Sequence, residues 1–291
     1  MKLPRRLAWA ALAAGIAIGS LSREAPGGPP VFAEGWRVVA ADFHVHAFPG
    51  DGALAPWDLR REARRRGLDV IAVTNHNQLL ASRLDRLLFP APPPPLVLMA
   101  EEVTSFGYHL SAIGIREPVD WRLPLARAVR TVHAQGGIAI VSHPMNRYAR
   151  EIDDEALTLL DGIEVAHPAA RRDPADRAEL DALYARAARI NPTIAAIGAS
   201  DFHFTAPVGT CRTLVFVREL SSAGVLDAVR AGRTVAVDGE GRAYGPQQWK
   251  SLIAADNGAA AAVPAASGWN SVSVALAWLA LVVLVVCGRE S

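Results

Sequence analysis

Between about residues 36 and 245 the chain alternates two patterns of apolar and polar positions. Short, β-branched apolar runs at 37–41, 70–73, 96–99, 110–115, 138–141, 162–165, 193–197 and 213–217 read as buried strands. Between several of them, segments 56–66, 124–135, 153–161, 174–190 and 221–231 carry apolar residues at helical spacing. Strand followed by helix, repeated, predicts a parallel α/β architecture, and seven or eight strands predict a barrel. A proline run over 90–95 breaks one connection, and no internal repeat is visible.

The two ends read differently. Lys2, Arg5 and Arg6 precede an apolar stretch over 7–21, the pattern of a signal peptide or a short signal anchor. Small residues around Ser20 and Ser22 permit cleavage without specifying it, and no cysteine follows, which excludes lipoprotein processing. At the other end, 272–287 contains no charge, and about 17–20 such residues cross a bilayer. A packed core helix is the competing reading of that segment. The expected organisation is therefore a signal or anchor plus Gly/Pro spacer (1–30), a catalytic domain (31–253), a flexible Ala/Gly-rich linker (254–268) and a transmembrane helix with a short tail (269–291). The basic N-terminus places the body outside the cytoplasm by the positive-inside rule, so a membrane-anchored, periplasmic or extracellular enzyme is expected.

Composition narrows the function classes. A formal net charge of +1 with 20% charged residues and no basic stripe interleaved with aromatics gives no footprint for nucleic acid. Two cysteines, Cys211 and Cys287, make no disulfide scaffold. Eight histidines are the notable feature, because most of them fall at the C-terminal ends of the expected strands, where α/β folds build their sites.

His44 and His46 are two apart in an extended segment and share a face, and Asp51 follows on a glycine-flanked turn. His76 ends the next strand, and the adjacent carboxylates Glu101 and Glu102 end the one after it. His109 opens another strand, His143 ends the next, and Asp201 with His203 repeats the alternating arrangement. Singly, each could be a core histidine or a helix cap. Together, six imidazoles, two aspartates and a glutamate at successive strand ends point to a metal centre. Nitrogen and oxygen donors without thiolate suit zinc, manganese or iron. Nine donors exceed one ion's needs and imply two or three divalent ions, bridged by Glu102 or Asp51. His167 follows a strand and is either site lining or structural, whereas His133 lies mid-helix on the surface.

With these residues in view, the chain resembles the polymerase-and-histidinol-phosphatase (PHP) family. The likeness is carried by Asp42-Phe-His44-Val-His46, Asp51-Gly52, Thr74-Asn75-His76-Asn77, Glu102-Val-Thr104, His109, Ser142-His143-Pro144 and Ser200-Asp201-Phe202-His203, in the family's order over most of the central domain. The resemblance implies a distorted (β/α)7 barrel with a trinuclear metal site at the rim, to which the apolar terminal segments of this chain add a hydrophobic helix at each end. It also implies His44, His46, Asp51, His76, Glu102, His109, His143, Asp201 and His203 as ligands. Glu102, followed by Val103-Thr104 as in the family, is preferred to Glu101. The family usually has Asp where this chain has Asn75, which predicts a weaker hydrogen bond to the neighbouring imidazole.

The chemistry so implied is hydrolysis, since divalent cations lower the pKa of bound water from about 16 towards 7. Asp51, Asp201 and His203 are the candidates for catalytic proton handling. Arg147 and Arg212 are candidate clamps for a phosphorylated small-molecule substrate, because a guanidinium forks onto two oxygens. The leading expectation is a phosphoesterase. A carbamate, amide or ester hydrolase is the alternative, because the Glu101-Glu-Val-Thr pattern resembles the carbaryl-hydrolase-like branch. A non-catalytic, membrane-tethered metal-binding module is a third reading.

Overall fold

The computed structural model describes residues 3–21, 30–90, 95–171, 173–204, 207–254 and 268–288. Its strands are β1 (Val31–Ala33), β2 (Trp36–Val45), β3 (Val70–Val73), β4 (Leu96–Thr104), β5 (His109–Ile113), β6 (Ile138–Val141), β7 (Gly162–Ala166), β8 (Ala195–Gly198), β9 (Arg212–Val217), β10 (Thr234–Val237) and β11 (Ala243–Tyr244). Its helices are α1 (Leu3–Leu21), α2 (Pro56–Arg65), α3 (Leu80–Leu88), α4 (Leu125–Ala134), α5 (Asp154–Leu159), α6 (Pro174–Ile190), α7 (Ser222–Arg230), α8 (Gln247–Ala254) and α9 (Gly268–Gly288). The expected linker falls almost wholly outside the described residues.

The strands form one sheet in the order β11-β10-β9-β2-β3-β4-β5-β6-β7-β8, with β1 attached to β2, and it curls into a nearly closed barrel. At the seam, Thr213 Oγ1 accepts from the Gly198 amide and donates to the Gly198 carbonyl, each at 2.9 Å. Gly198 is required there, because a Cβ would run into the Arg212 backbone. The sheet is mixed rather than purely parallel: β2–β3, β3–β4, β6–β7 and β7–β8 run parallel, whereas β4–β5, β5–β6 and β2–β9 run antiparallel. The reason at β4–β5 is length. Residues 105–108 are too few for a crossover, so the chain must turn back on itself.

Strand alternation separates floor from rim. Val39, Ala41, Phe43, Val70, Ala72, Leu98, Ala100, Ile138, Ile140, Ala195, Ile197 and Val215 share one buried cluster, closed by Val225, Ala228 and Val229 of α7. The same period of two then delivers Glu102 beyond Leu98 and Ala100, and turns Glu101 the other way. On β2 the β2–β3 register shifts between Asp42 and Val45, which lets His44 and His46 share a face that Phe43 would otherwise command.

The terminal helices correct the sequence reading. Among the described residues no helix is long and apolar enough to cross a membrane, which overturns the transmembrane assignment and the membrane-anchored, extracytoplasmic placement. Instead α1 and α9 pack on each other and on α2. Ser273 Oγ donates to the Gly15 carbonyl and accepts from Trp57 Nε1, each at 2.9 Å. Phe48, Ala55, Trp57 and Ala277 form a small cluster there with Leu12, Ile16 and Leu281.

Candidate metal centre

Backbone hydrogen bonds stitch the strand ends into a rim. The His46 amide donates to Phe202 O at 2.8 Å, the Thr74 amide to Val45 O at 2.8 Å, and the Glu102 amide to Thr74 O at 3.0 Å. Asp42, fully buried behind the rim, accepts from Ser200 Oγ (2.5 Å), the Ser200 amide (3.1 Å), the Gly209 amide (2.8 Å) and the His44 amide (3.3 Å). Burial raises its pKa to about 6 despite these donors. The carboxyl thus ties the segment carrying Asp201 and His203 to the strand carrying His44.

All nine residues singled out from the sequence meet in one cluster. Four overlapping groups have donor atoms within 4.8 Å of one another: His46, Asp51, His76 and His203; His44, His46 and Glu102; His44, His143 and Asp201; and Glu102, His109 and His143. Glu102 is the hub. Its Oε1 lies 2.7 Å from His109 Nδ1 and 3.1 Å from His143 Nε2, and its Oε2 lies 2.7 Å from His76 Nδ1 and 3.5 Å from the Nε2 atoms of His44 and His46. Asp51 reaches His46, His76 and His203 at 3.0, 3.1 and 3.2 Å.

Electrostatics and orphaned donors fit cations. Burial by itself would lower the His44 pKa, but Asp201, Glu102 and Glu164 outweigh it and hold the imidazole well above its ordinary value. Burial likewise opposes the shift at His76, where Asp51 and Glu102 push the pKa up to about 10. Burial would raise the carboxylates Glu102 and Asp201, yet His44 and its neighbours hold both well below the usual range. Buried Glu102 Oε2 and Asp201 Oδ1 nevertheless lack a well-formed hydrogen bond. The Nε2 atoms of His44 and His46 face each other at 3.1 Å, too close for both to carry protons, so at least one presents a lone pair to the shared space. Acceptors and lone pairs pointed at common space are what divalent cations require.

Two positive-φ residues sit among the nine, His143 (φ 29°) and Asp201 (φ 48°). Left-handed backbone is unfavourable for a histidine and persists only where the surroundings impose it, as at functional sites.

A match to a family model and a solved structure bear on this arrangement. Residues 185–234, which include Asp201 and His203, match the model PHP_C, described as PHP-associated. A two-domain protein from Bacteroides vulgatus, described as containing a predicted PHP-like metal-dependent phosphoesterase, superposes with TM-score 0.63 at 20% identity, covering 80% of this chain and 74% of that one. The chain thus shares its fold with a PHP-like protein, and its segment 185–234 resembles the PHP-associated family. PsfC of Pseudomonas syringae shares the fold more distantly, with TM-score 0.50 and 17% identity over 76% of this chain and 96% of that one. In sequence, the uncharacterized protein MJ1587 of Methanocaldococcus jannaschii is 26% identical over 140 residues, 44% of this chain and 81% of that protein.

The cluster opens into a cavity of about 710 Å³ whose lining includes His76, Glu102, His109, His143, Tyr148, Arg150, His167, Asp176, Asp201 and His203. Arg147 lies in the 3-10 turn Asn146–Ala149 near this cavity, and its side chain is outside the described residues. Arg212 is not brought to the site. Its guanidinium donates to the carbonyls of Gly209 (3.0 Å) and Arg66 (3.1 Å), because burial below the rim leaves backbone oxygens as its partners. Sequence reading missed Arg150, an exposed guanidinium in the lining three residues past Arg147. His167 does reach the site: its Nε2 is 3.4 Å from Asp201 Oδ2, and it also borders a second cavity of about 230 Å³. His133 pairs with Asp161 at 2.8 Å, away from the centre.

Asn75 departs from the expected role as well as from the PHP pattern. Its amide nitrogen donates to Ala47 O (2.7 Å) and Pro49 O (3.0 Å), and its oxygen accepts from the Ala47 amide (2.8 Å). It therefore fastens the loop that presents Asp51, and an aspartate could not make both donations. Gly52 completes this loop, since a Cβ there would collide with the His46 carbonyl. Asn75→Asp should destabilise the fold by about 1–3 kcal/mol, as two carbonyls lose their donor. Chemical denaturation of the metal-free protein measures this, and an unchanged midpoint would count against the assignment.

Proposed function

We propose that this protein is a metal-dependent hydrolase of the PHP family acting on a small phosphorylated substrate. The carrying observation is the convergence of six imidazoles and three carboxylates around buried acceptors that lack a proper donor. His44, His46, Asp51, His76, Glu102, His109, His143, Asp201 and His203 would hold two or three divalent ions of zinc, manganese or iron. When bound, such ions acidify water and neutralise charge on the scissile group. The chain's own contribution is to orient and to exclude. Tyr148 packs over His109 at 4.2 Å between ring centres and walls the cluster from one side. Arg150 offers its fork to anionic oxygens entering the cavity. His203, bonded to Asp51 and one-quarter exposed at its side chain, stands where it can exchange a proton with a leaving group, with Asp51 and Asp201 as its carboxylate neighbours.

One observation favours carbonyl substrates as a second reading. The cavity lining carries the carboxylate of Asp176 as well as the guanidinium of Arg150, so its described lining offers little excess positive charge for a dianion. Full-length protein loaded in turn with zinc, manganese and iron should be assayed on nitrophenyl phosphate, nitrophenyl esters and nitrophenyl carbamates. Faster turnover of the phosphate is expected. Preference for the carbamate would transfer the assignment to the second reading, and activity on none of them would sink both.

A further inference from the structure

Glu164 has no place in the metal-ligand set, yet it is fully buried within the same cluster, on the inward face of β7. Its two oxygens are both engaged. Oε1 lies 2.8 Å from His44 Nδ1, and Oε2 accepts the backbone amide of His143 at 2.7 Å. Neither atom belongs to the groups of converging donors, so the carboxylate stands behind the ligands rather than among them. The two residues it holds come from β2 and from the end of β6, strands that are not neighbours in the sheet.

From this geometry we infer that Glu164 is a positioning residue that makes His44 and His143 competent to bind metal. The inference rests on the reading that His44 and His143 are ligands. A carboxylate facing Nδ1 accepts its proton and fixes the ring in the tautomer whose Nε2 lone pair is free. That Nε2 is the atom directed at His46, Glu102 and Asp201. The second oxygen captures the amide of a residue held at φ 29°, so one side chain sets both a ring orientation on one strand and a strained backbone on another.

Replacement by glutamine disturbs this without changing volume. The amide has one acceptor and one donor end, so it can serve the His143 amide or the His44 Nδ1 proton but not both. Facing Nδ1 with its NH2, it selects the tautomer protonated at Nε2, which has no lone pair to give.

The test uses the full chain as wild type, Glu164→Gln and Glu164→Asp, stripped by chelator. Zinc affinity is measured by competition with a chromophoric chelator, Co²⁺ visible spectra report ligand geometry, and metal-free melting reports the fold. Glu164→Gln should bind at least one ion about 10- to 100-fold more weakly, with an altered Co²⁺ spectrum. Glu164→Asp, which keeps the charge but not the reach, should lie between it and wild type. Affinity within about threefold of wild type, with an unchanged spectrum, overturns the inference alone. Failure of the wild type to take up zinc overturns the metal reading and this inference with it. Should the glutamine variant not fold, nitrogen-edited NMR of the zinc-loaded wild type decides: a His44 ring protonated at Nδ1 supports the role, and a ring without that proton ends it.

Discussion

Glu102→Gln is expected to weaken metal binding by about 10²- to 4 × 10³-fold and to remove hydrolysis in proportion. The glutamate is completely buried and touches five imidazoles, those of His44, His46, His76, His109 and His143. Its negative charge is common to all five, and the elevated pKa values of His44, His76 and His143 depend on it in part. Removing one partner from a buried charge network costs about 3–5 kcal/mol, which at 1.4 kcal/mol per tenfold gives the stated range. Glu101→Gln is the matched control. That side chain is equally buried but points to the other face of β4, where Oε1 accepts the Val119 amide at 2.5 Å and burial raises its pKa to about 7. It should leave metal affinity unchanged. Competition titration of both variants separates the adjacent glutamates. Equal losses in the two, or none in Glu102→Gln, would contradict the hub role.

Period-two alternation is why so much of this was legible beforehand. A strand that ends in a carboxylate or histidine after an apolar run announces which face that residue takes, and His76, Glu102, His143 and Asp201 could be read that way. His44 and His46 could be read as a pair, but the register shift that aims them inward could not, because a bulge leaves no residue-type signature here. Glu164 was hidden for a related reason. It sits inside the apolar run Gly162-Ile-Glu-Val-Ala, where its function depends on strands β2 and β6 that are distant in sequence. Arg212 misled because proximity in sequence to Asp201 and His203 says nothing about which side of the strand end a guanidinium takes. The strands β10 and β11 went unread because they are short, four and two residues, and follow a helix without a long apolar run. At the termini, composition suggested a lipid environment. The described helices instead satisfy part of their apolar surface on each other, with Gly15 allowing the close approach to Ser273.

Protons and metal ions should compete for the cluster, so the thermal stabilisation given by zinc is expected to grow steeply as pH rises from ~6 to ~9. In the metal-free protein the pKa values of His44, His76, His143 and His203 lie above the ordinary value. In each case burial opposes the shift and the surrounding carboxylates overcome it. A folded-state pKa raised above the unfolded one gives stability that is complete below about 6.5 and is lost as pH climbs through the folded value, for His76 about 10. Asp51, Glu102, Glu164 and Asp201 are shifted the opposite way, so their contribution is present above the ordinary carboxylate range and disappears only in acid. The metal-free protein should therefore be most stable in mildly acid solution and weaken towards alkaline pH. Binding requires neutral imidazoles, so the same rise in pH that weakens the metal-free protein favours the loaded one. With free zinc at 100 to 1,000 times its dissociation constant, the gain is about 2.7–4.1 kcal/mol, or roughly 5–16 °C for a body of this size. Differential scanning calorimetry with and without zinc, at several pH values, measures the interval directly. A zinc-induced shift that stayed constant with pH, or that was larger in acid, would mean the ions are not displacing protons from these histidines.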